Sequence, residues 1–472
     1  MDFRLPEEFE RLLHESLPDY AADALFGAFG SSAAVSVRLN PLKPVSGLKV
    51  LEGEKDPVPW CSDAFFLGER KQFTLDPAFH AGAYYVQDSS SMFPHIIKDL
   101  IAEAVVNGAV LDLCASPGGK STHLISLLKD LQPLVVVNEA VGKRVPPLCD
   151  NIAKWGASNV LVTNTSAATL GKLEGFFDVI LADVPCSGEG MFRKSEDAVS
   201  LWSLGSVKEC AALQRSIISD VWPSLREGGL LIYSTCTYNH FENTDNVKYI
   251  AEELGADIVK DGCQFVPGLV PGEGQFYAVL RKTAPAAKAP KKEKRSSSRY
   301  SFIDGNMSVC RSGRQETVPC VFLQDRNSED IFLLPGSKDL ASRMKAVAES
   351  LSAFGNYIKM LGCKIGQVKG RKLVLDADLA LNCALIGSEN AEISLSTAGA
   401  GKLSCRIHCA ETDAQTALKF LSRENIAPQP EWPQGYMLLK YQNLGLGFVN
   451  NLGSRCNNLY PLMRRIRTYN PT

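Results

Sequence analysis

No run of apolar residues in this 472-residue chain approaches the ~20 needed for a membrane-spanning helix. The opening stretch, MDFRLPEEFERLLHESLPDY, is acidic and amphipathic and lacks the basic end and apolar segment of a secretory leader. A cytoplasmic protein with no membrane partner is therefore expected. Although the chain has 14 cysteines, no two are spaced Cys-x-x-Cys. Thiols scattered along a chain without a leader read as reduced, not as a disulfide framework. Cys405, His408 and Cys409 form one small cluster with no second cluster to complete a zinc site, so no metal is expected. Charge of neither sign dominates: the formal net charge is −2, and the bulk composition does not announce a nucleic-acid binder.

The charges are unevenly placed. From Arg281 to Arg299 there are eight Lys/Arg and one acid, Glu293, and beyond Glu431 there are five basic residues and no acid. The segment from Thr283 to Ser298 lacks large apolar residues, cannot bury a core, and reads as a linker. With 45% hydrophobic residues and a length suited to about three domains, the expected organisation is as follows. Residues 1–100 form an α+β or helical segment, 101–282 a central domain, 283–299 a flexible linker, and 300–395 and 396–472 two α+β modules.

From Val110 onward, short apolar runs (Val110–Cys114, Leu134–Asn138, Val160–Thr163, Phe177–Ala182, Leu230–Tyr233) alternate with stretches of helical spacing. That alternation predicts an α/β, Rossmann-like domain with a parallel sheet covered on both faces. Ligands of such sheets sit at the carboxyl ends of the strands. The first run ends in Asp112-Leu113-Cys114-Ala115-Ser116-Pro117-Gly118-Gly119-Lys120. A phosphate loop needs a glycine where Cys114 stands, and Gly-x-Gly-x-x-Gly is absent, so neither nucleotide fingerprint applies. The second run ends in Asn138-Glu139, about twenty residues past the glycines, where an acid can accept hydrogen bonds from ribose hydroxyls. A glycine turn plus an acid, without a pyrophosphate cradle, suits S-adenosylmethionine as cofactor.

The fourth and fifth runs end in Asp183-Val184-Pro185-Cys186-Ser187-Gly188 and Tyr233-Ser234-Thr235-Cys236-Thr237. A lone buried cysteine is usually small apolar filler. Two, each in a strand-end turn beside a methyl donor, suggest covalent chemistry. Carbon 5 of cytosine is a poor nucleophile until a thiolate adds to carbon 6, and the thiolate is the reactive form of cysteine. Asp183 stands where an acid could stabilise charge developing on the ring, and the second thiol could assist product release.

These motifs resemble the Nop/Sun (Fmu-type) family of RNA cytosine-5 methyltransferases. The resemblance runs over roughly residues 30–282. It is carried by Val37-Arg38-Leu39-Asn40, Val86-Gln87-Asp88-Ser89-Ser90, the Asp112–Lys120 stretch, Asn138-Glu139 with Arg144, Asp183–Lys194, Gln214-Arg215, and Tyr233–Thr237 with Glu242-Asn243. It implies Cys236 as nucleophile, Cys186 as the thiol that helps release product, and Asp183 as a third catalytic group. It implies cofactor contacts from Cys114, Ala115, Ser116, Pro117, Gly118, Gly119, Lys120, Glu139, Arg144 and Asp183. An acid common in the family after the third strand is missing: the stretch reads Thr163-Asn164-Thr165-Ser166, leaving Asn164 or Thr165 to accept a hydrogen bond. Gly362–Gly370 and Tyr441–Arg455 resemble the C-terminal modules of a bacterial subgroup acting on 16S ribosomal RNA near the decoding site, the last being PUA-like. The resemblance implies ribosomal RNA or the small ribosomal subunit as partner; a monomer is expected. Arg38, Asn40 and Gln87 are expected near the catalytic cleft, and Trp432, Tyr436, Tyr441 and Phe448 with Lys440, Arg455 and Arg464 on an RNA-binding face. Two alternatives stay open. A DNA cytosine-5 methyltransferase would use the Pro-Cys thiol and leave Cys236 unexplained. An inactive RNA-binding scaffold would account for the missing acid.

Overall fold

The computed structural model describes residues 5–283 and 298–467. Most of the expected linker lies outside the described residues. The apolar alternation noted above becomes one eight-stranded sheet: β1 (Ala109–Asp112), β2 (Leu134–Asn138), β3 (Val160–Thr163), β4 (Phe177–Asp183), β5 (Leu225–Thr235), β6 (Ala256–Phe265), β7 (Gln275–Lys282) and β8 (Ile358–Leu361). Its order is β6-β7-β5-β4-β1-β2-β3-β8, with β1 to β5 parallel. The chain winds outward from β1 to β3, then returns to lay β4 against β1. The switch point therefore lies between β1 and β4, where the carboxyl ends of the strands leave a crevice.

Buried side chains cover both faces of this sheet. Val110, Val179, Leu181 and Ile232 meet Leu124 and Leu128 of the helix Gly119–Leu127, together with Phe93 and Ile101. On the opposite face, Leu111, Val136, Leu161 and Ile180 meet Ile218, Val221, Val247 and Ile250 of the helices Leu204–Val221 and Thr244–Leu254.

The sheet is not finished by residue 282. The β3–β4 connection carries only the five-residue helix Ala167–Gly171, too short to cover β1–β3. That cover comes from the far side of the linker, where Leu340, Met344, Val347 and Leu351 of the helix Lys338–Phe354 enter the same core. β8 then pairs antiparallel with β3, Leu361 opposite Leu161. The catalytic domain thus borrows a helix and an edge strand from the segment expected to be a separate module.

The N-terminal segment is α+β. Helices Glu7–Ser16 and Asp19–Ala28 pack Phe9, Leu12, Leu13 and Leu25 against Phe192, Trp202 and Tyr238. A four-stranded sheet follows, in the order Lys55–Val58, Cys61–Leu67, Val35–Leu39, Tyr84–Val86. Arg38, Asn40 and Gln87 are buried, 1%, 2% and 6% exposed, and two of them abut Gly119 of the glycine turn. Arg38 donates to Gln87 Oε1 (2.8 Å), Gly119 O (3.1 Å) and Thr122 Oγ1 (2.7 Å), so it fastens the N-terminal sheet to the back of the helix Gly119–Leu127. Asn40 donates to Gly82 O and to Trp155 O, and so ties the same segment to the end of the helix Val145–Trp155.

Beyond residue 298 a second large sheet runs from Tyr300–Arg311 to Cys456–Asn458. The expected division at residue 395 falls inside the strand Asn390–Thr397, which pairs with Tyr300–Arg311 on one edge and Gly401–Glu411 on the other. Of the expected RNA-binding face, Phe448 is core at 2% exposure. Lys440 is buried, donating to Ser388 O at 2.9 Å, and Arg464 is paired with Asp150 and Asp378. Arg455, Arg465 and Arg467 remain exposed.

A chain ending at residue 283 loses Lys338–Phe354 and leaves Val136 and Leu161 uncovered. It is expected to bind hydrophobic dyes and to lose cofactor affinity. A cooperative melt with full cofactor binding would contradict this account of the core.

Candidate active site

β4 and β5 run parallel with Asp183 opposite Ser234. Cys186 follows three residues after the first and Cys236 two after the second, so the register brings both thiols to the same crevice. Their sulfurs are 3.2 Å apart, close contact but far longer than the ~2.0 Å of a disulfide. The two turns are held by buried carboxylates. Glu242 accepts from the Ser187 amide (3.0 Å), Gln214 Nε2 (2.7 Å) and Asn239 Nδ2 (2.8 Å). Glu189 accepts from the Tyr238 and Asn239 amides (2.8 and 3.1 Å), Trp202 Nε1 (3.1 Å) and the Thr237 hydroxyl. The turn after Cys186 and the turn after Cys236 thus share one hydrogen-bond network through Asn239, which also donates to Glu189 at 2.9 Å. Gly190 closes the assembly: its amide donates to Cys236 O at 2.9 Å, and a Cβ there would lie 2.8 Å from that same oxygen.

Asp183 accepts from three donors: Lys120 Nζ (2.8 Å), Ser234 Oγ (2.7 Å) and Gln275 Nε2 (3.2 Å). Lys120 comes from the glycine turn after β1, so this ion pair bridges the two halves of the crevice. Burial works against charge on Lys120, but Asp183 and the Cys236 sulfur outweigh it and hold its pKa above the ordinary lysine value. The Cys186 thiol is pushed well above the usual thiol range, first by its hydrogen bond with Cys236, then by burial and by the charge of Cys236. Cys186 therefore keeps its proton.

At the other half of the crevice, Ala115 N donates to Asn138 O at 2.9 Å, tying the turn after β1 to the end of β2. Gly118 adopts φ +110°, which admits the chain into the helix Gly119–Leu127. Ser116 and Arg144 lock this turn to the next: Ser116 Oγ donates to Arg144 O and Arg144 to Ser116 O, both at 2.8 Å. Pro117 O accepts from Asn151 Nδ2 at 2.9 Å. Cys114 is half-buried, and burial raises its pKa, so it stays a thiol. Three buried oxygens here lack a hydrogen-bond partner, Asp112 Oδ1, Glu139 Oε2 and Thr165 Oγ1, of which Glu139 Oε2 has an ion pair with Arg144 Nε at 3.6 Å. Each unmet buried group costs ~1–3 kcal/mol. They stand beyond β1, β2 and β3, where a ligand in the switch-point crevice would meet them. S-adenosylmethionine presents donors of the matching kind: ribose hydroxyls, an amino-acid ammonium and an adenine amine. The residues fit the cofactor. Asn164, where the resemblance leads one to expect an acid, donates its amide to Glu139 O (2.7 Å), so Thr165 is the residue left with a free oxygen.

The sequence motifs contain Glu189, Glu242, Gln214 and Asn243 but give no reason for them; Ser234, Asn239 and Gln275 had no role assigned. The signal was present for the acids: a glutamate three residues after Cys186 and another six after Cys236 are unusual places for surface groups. Cys405, His408 and Cys409 lie on the strand Gly401–Glu411, where the period of two puts His408 on the face opposite the two cysteines.

A switch-point crevice with an unsatisfied acceptor set on one side and two apposed thiols on the other defines a Rossmann-like, S-adenosylmethionine-dependent methyltransferase. Residues 100–278 match the family described as 16S rRNA methyltransferase RsmB/F. Residues 5–89 match the N-terminal domain of 16S rRNA methyltransferase RsmF, and 408–466 the methyltransferase RsmF PUA domain. The ribosomal RNA small subunit methyltransferase F of Aliivibrio fischeri (strain ATCC 700601 / ES114) is 34% identical over 59% of this chain, which spans 64% of that relative's length. Its namesake in Aliivibrio salmonicida is 34% identical over 62% of this chain and 67% of its own. That of Shewanella loihica is 28% identical over 97% of this chain and 95% of its own. Among solved structures, NSun6 from Pyrococcus horikoshii with SFG shares the fold, with TM-score 0.50 and 19% identity over 59% of this chain and 98% of that one. The chain belongs to the RsmB/F family of 16S rRNA methyltransferases.

Gly190→Ala is expected to displace the Cys236 turn and to lower methyl transfer ~100-fold or more, the loss typical of a misplaced reacting group, while leaving cofactor affinity unchanged. Wild-type turnover in this variant, measured with radiolabelled cofactor, would show that the turn tolerates the shift.

Proposed function

We propose that this protein methylates carbon 5 of a cytosine in small-subunit ribosomal RNA through a covalent bond between Cys236 and carbon 6. The observation that carries the reading is the 3.2 Å apposition of Cys236 and Cys186 beside the Lys120–Asp183 pair. Cys114–Lys120, Glu139, Arg144 and Thr165 hold the cofactor, whose sulfonium supplies an electrophilic methyl group. The target base leaves its stack to reach the thiols. The Cys236 thiolate adds to carbon 6, and the ring's electron pair moves toward carbon 5, with charge at the N3 edge stabilised by Asp183 and Lys120. Carbon 5 takes the methyl group and must then lose its proton.

The coupling of the two thiols explains how Cys186 serves that last step. Two of the causes that keep Cys186 protonated, the hydrogen bond to Cys236 and the charge on Cys236, vanish once Cys236 is bonded to the base. Cys186 then releases its proton to solvent and accepts the one on carbon 5. The electron pair so freed restores the ring double bond and expels the Cys236 thiolate. The enzyme returns to one thiolate and one thiol, with one proton released per methyl transferred.

A single chain carries every group this scheme uses, which supports a monomer. A ribosomal substrate places it in the cytoplasm. The N-terminal segment and the PUA-like module hold the surrounding RNA, the exposed Arg455, Arg465 and Arg467 supplying phosphate contacts.

Cys236→Ala is expected to bind cofactor normally and to lose turnover. Cys186→Ala should accumulate an enzyme–RNA adduct that survives denaturing electrophoresis; an adduct formed by Cys236→Ala instead would reverse the two roles. Bisulfite mapping of 16S ribosomal RNA from cells with and without the gene identifies the cytosine, and an unchanged map would remove this substrate.

A further inference from the structure

Away from the crevice, three potential ligands from three distant parts of the chain converge. Cys61 begins the strand Cys61–Leu67 of the N-terminal sheet, His95 ends the 3₁₀ helix Ser90–His95, and His123 lies within the helix Gly119–Leu127. Cys61 Sγ is 3.6 Å from His95 Nδ1 and 3.9 Å from His123 Nε2, and all three ligand atoms lie within 4.8 Å of one another. Zinc–ligand bonds of 2.0–2.3 Å at tetrahedral angles set sulfur and nitrogen ligands ~3.5 Å apart. Only a small contraction would therefore seat an ion. Among the described residues this is the only group of three or more such side chains in that geometry.

The surroundings match what a metal requires. His123 is 1% exposed and turns its Nε2 to the sulfur; its Nδ1 has no partner, unlike the second nitrogen of most ligating histidines. Burial, followed by Arg38 and His95, drives His123 well below the ordinary histidine range, and burial lowers His95 as well. Both rings are thus neutral, the form that ligates. Without a metal the Cys61 thiol is pushed up to about 11 by burial; a bound cation would deprotonate it. Ser62 Oγ lies 3.3 Å from His95 Nε2, the nitrogen facing away from the sulfur, and so orients the ring as an outer partner does in metal sites. Ser62 is exposed and His95 partly so, which leaves a path for entry. Of the nearby charges, Arg38, Lys98 and Lys120 oppose a cation, and Asp63 and Asp99 favour one.

We propose that Cys61, His95 and His123 bind one zinc-class divalent ion, with a water as fourth ligand, as a clasp between the N-terminal sheet and the helix that follows the cofactor turn. The donor set of one thiolate and two imidazoles favours zinc, or cobalt as its spectroscopic substitute, over magnesium or calcium. The ion would pin the helix on which Lys120 sits, in parallel with Arg38.

The test is a cobalt titration of the full-length protein carrying Cys186→Ser and Cys236→Ser, which removes the other close thiol pair. The expected result is one cobalt per chain, with tetrahedral d–d bands and a thiolate-to-cobalt charge-transfer band, both bleached by added zinc. Cys61→Ser should abolish the charge-transfer band, and Ser62→Ala should weaken affinity ~10-fold. Retained cofactor binding by each variant confirms that it is folded. His95→Gln, at a partly exposed position, serves as second ligand variant should Cys61→Ser fail to fold. No tetrahedral spectrum in the parent, or an undiminished spectrum in the ligand variants, would overturn the site. Loss of the bands on Cys405→Ser instead would move it to the C-terminal sheet and equally overturn it.

Discussion

Two buried carboxylates hold the chemistry of this protein in place. The turns that carry Cys186 and Cys236 have little regular structure of their own, and their amides must find acceptors on entering the interior. Glu242 and Glu189 supply those acceptors; Gln214 donates to the first, Trp202 to the second and Asn239 to both. Burial raises the pKa of Glu242, and its bonds from Ser187 and Asn239 oppose that shift. A buried acid is costly unless its oxygens are met, and here each is met by groups that must themselves be anchored. The same bonds therefore offset the cost of the acids and fix the distance between the two sulfurs.

The ion pair of Lys120 with Asp183 does for the two halves of the crevice what the carboxylates do for the two turns. Lys120 belongs to the cofactor turn and Asp183 to the end of β4, and Gln275 on β7 contacts both. A cation held in place by Asp183 and still within electrostatic reach of Cys236 favours a negative sulfur at that position. The glycine turn and the end of β4 are thus linked through one side chain, and a shift of that turn would be felt at Asp183 and Gln275.

Much of this was legible in the sequence. The five apolar runs of the catalytic domain became β1 to β5, and the motifs at their ends meet at the switch point, because a parallel sheet sends every such end to one side. What the sequence concealed were relationships across long separations. The helical spacing of Ala341–Leu351 predicts an amphipathic helix but does not say which surface its apolar face covers; it lies on β1–β3, almost two hundred residues earlier in the chain. Arg38, Gln87 and Lys440 read as exposed because such residues usually are. Their burial depends on acceptors from other segments. Trp432, Tyr436 and Tyr441 are half-buried where Phe448 is core, and Tyr436 packs against the same cluster as Phe448, so residue type alone did not separate core from rim.

The residue that departs from the expected pattern clarifies why the C-terminal half is built into the catalytic sheet. Asn164 stands where an acid was expected. Its side chain bonds back to Glu139 O and Ala140 O, while its amide donates to Tyr357 O at 2.8 Å, immediately before β8. The segment beyond β3 is thus held on one side by the cofactor acid's own backbone and on the other by the chain that returns from the C-terminal sheet. Arg464, near the end of the described chain, binds Asp150 on the helix that begins directly after Arg144, and Asp378 beside it. RNA docked on the C-terminal module would therefore bear on two elements that border the cofactor crevice, through β8 and through Arg464. A separately tethered binding module would have no such purchase, which gives a physical reason for completing the Rossmann sheet with residues from beyond the linker.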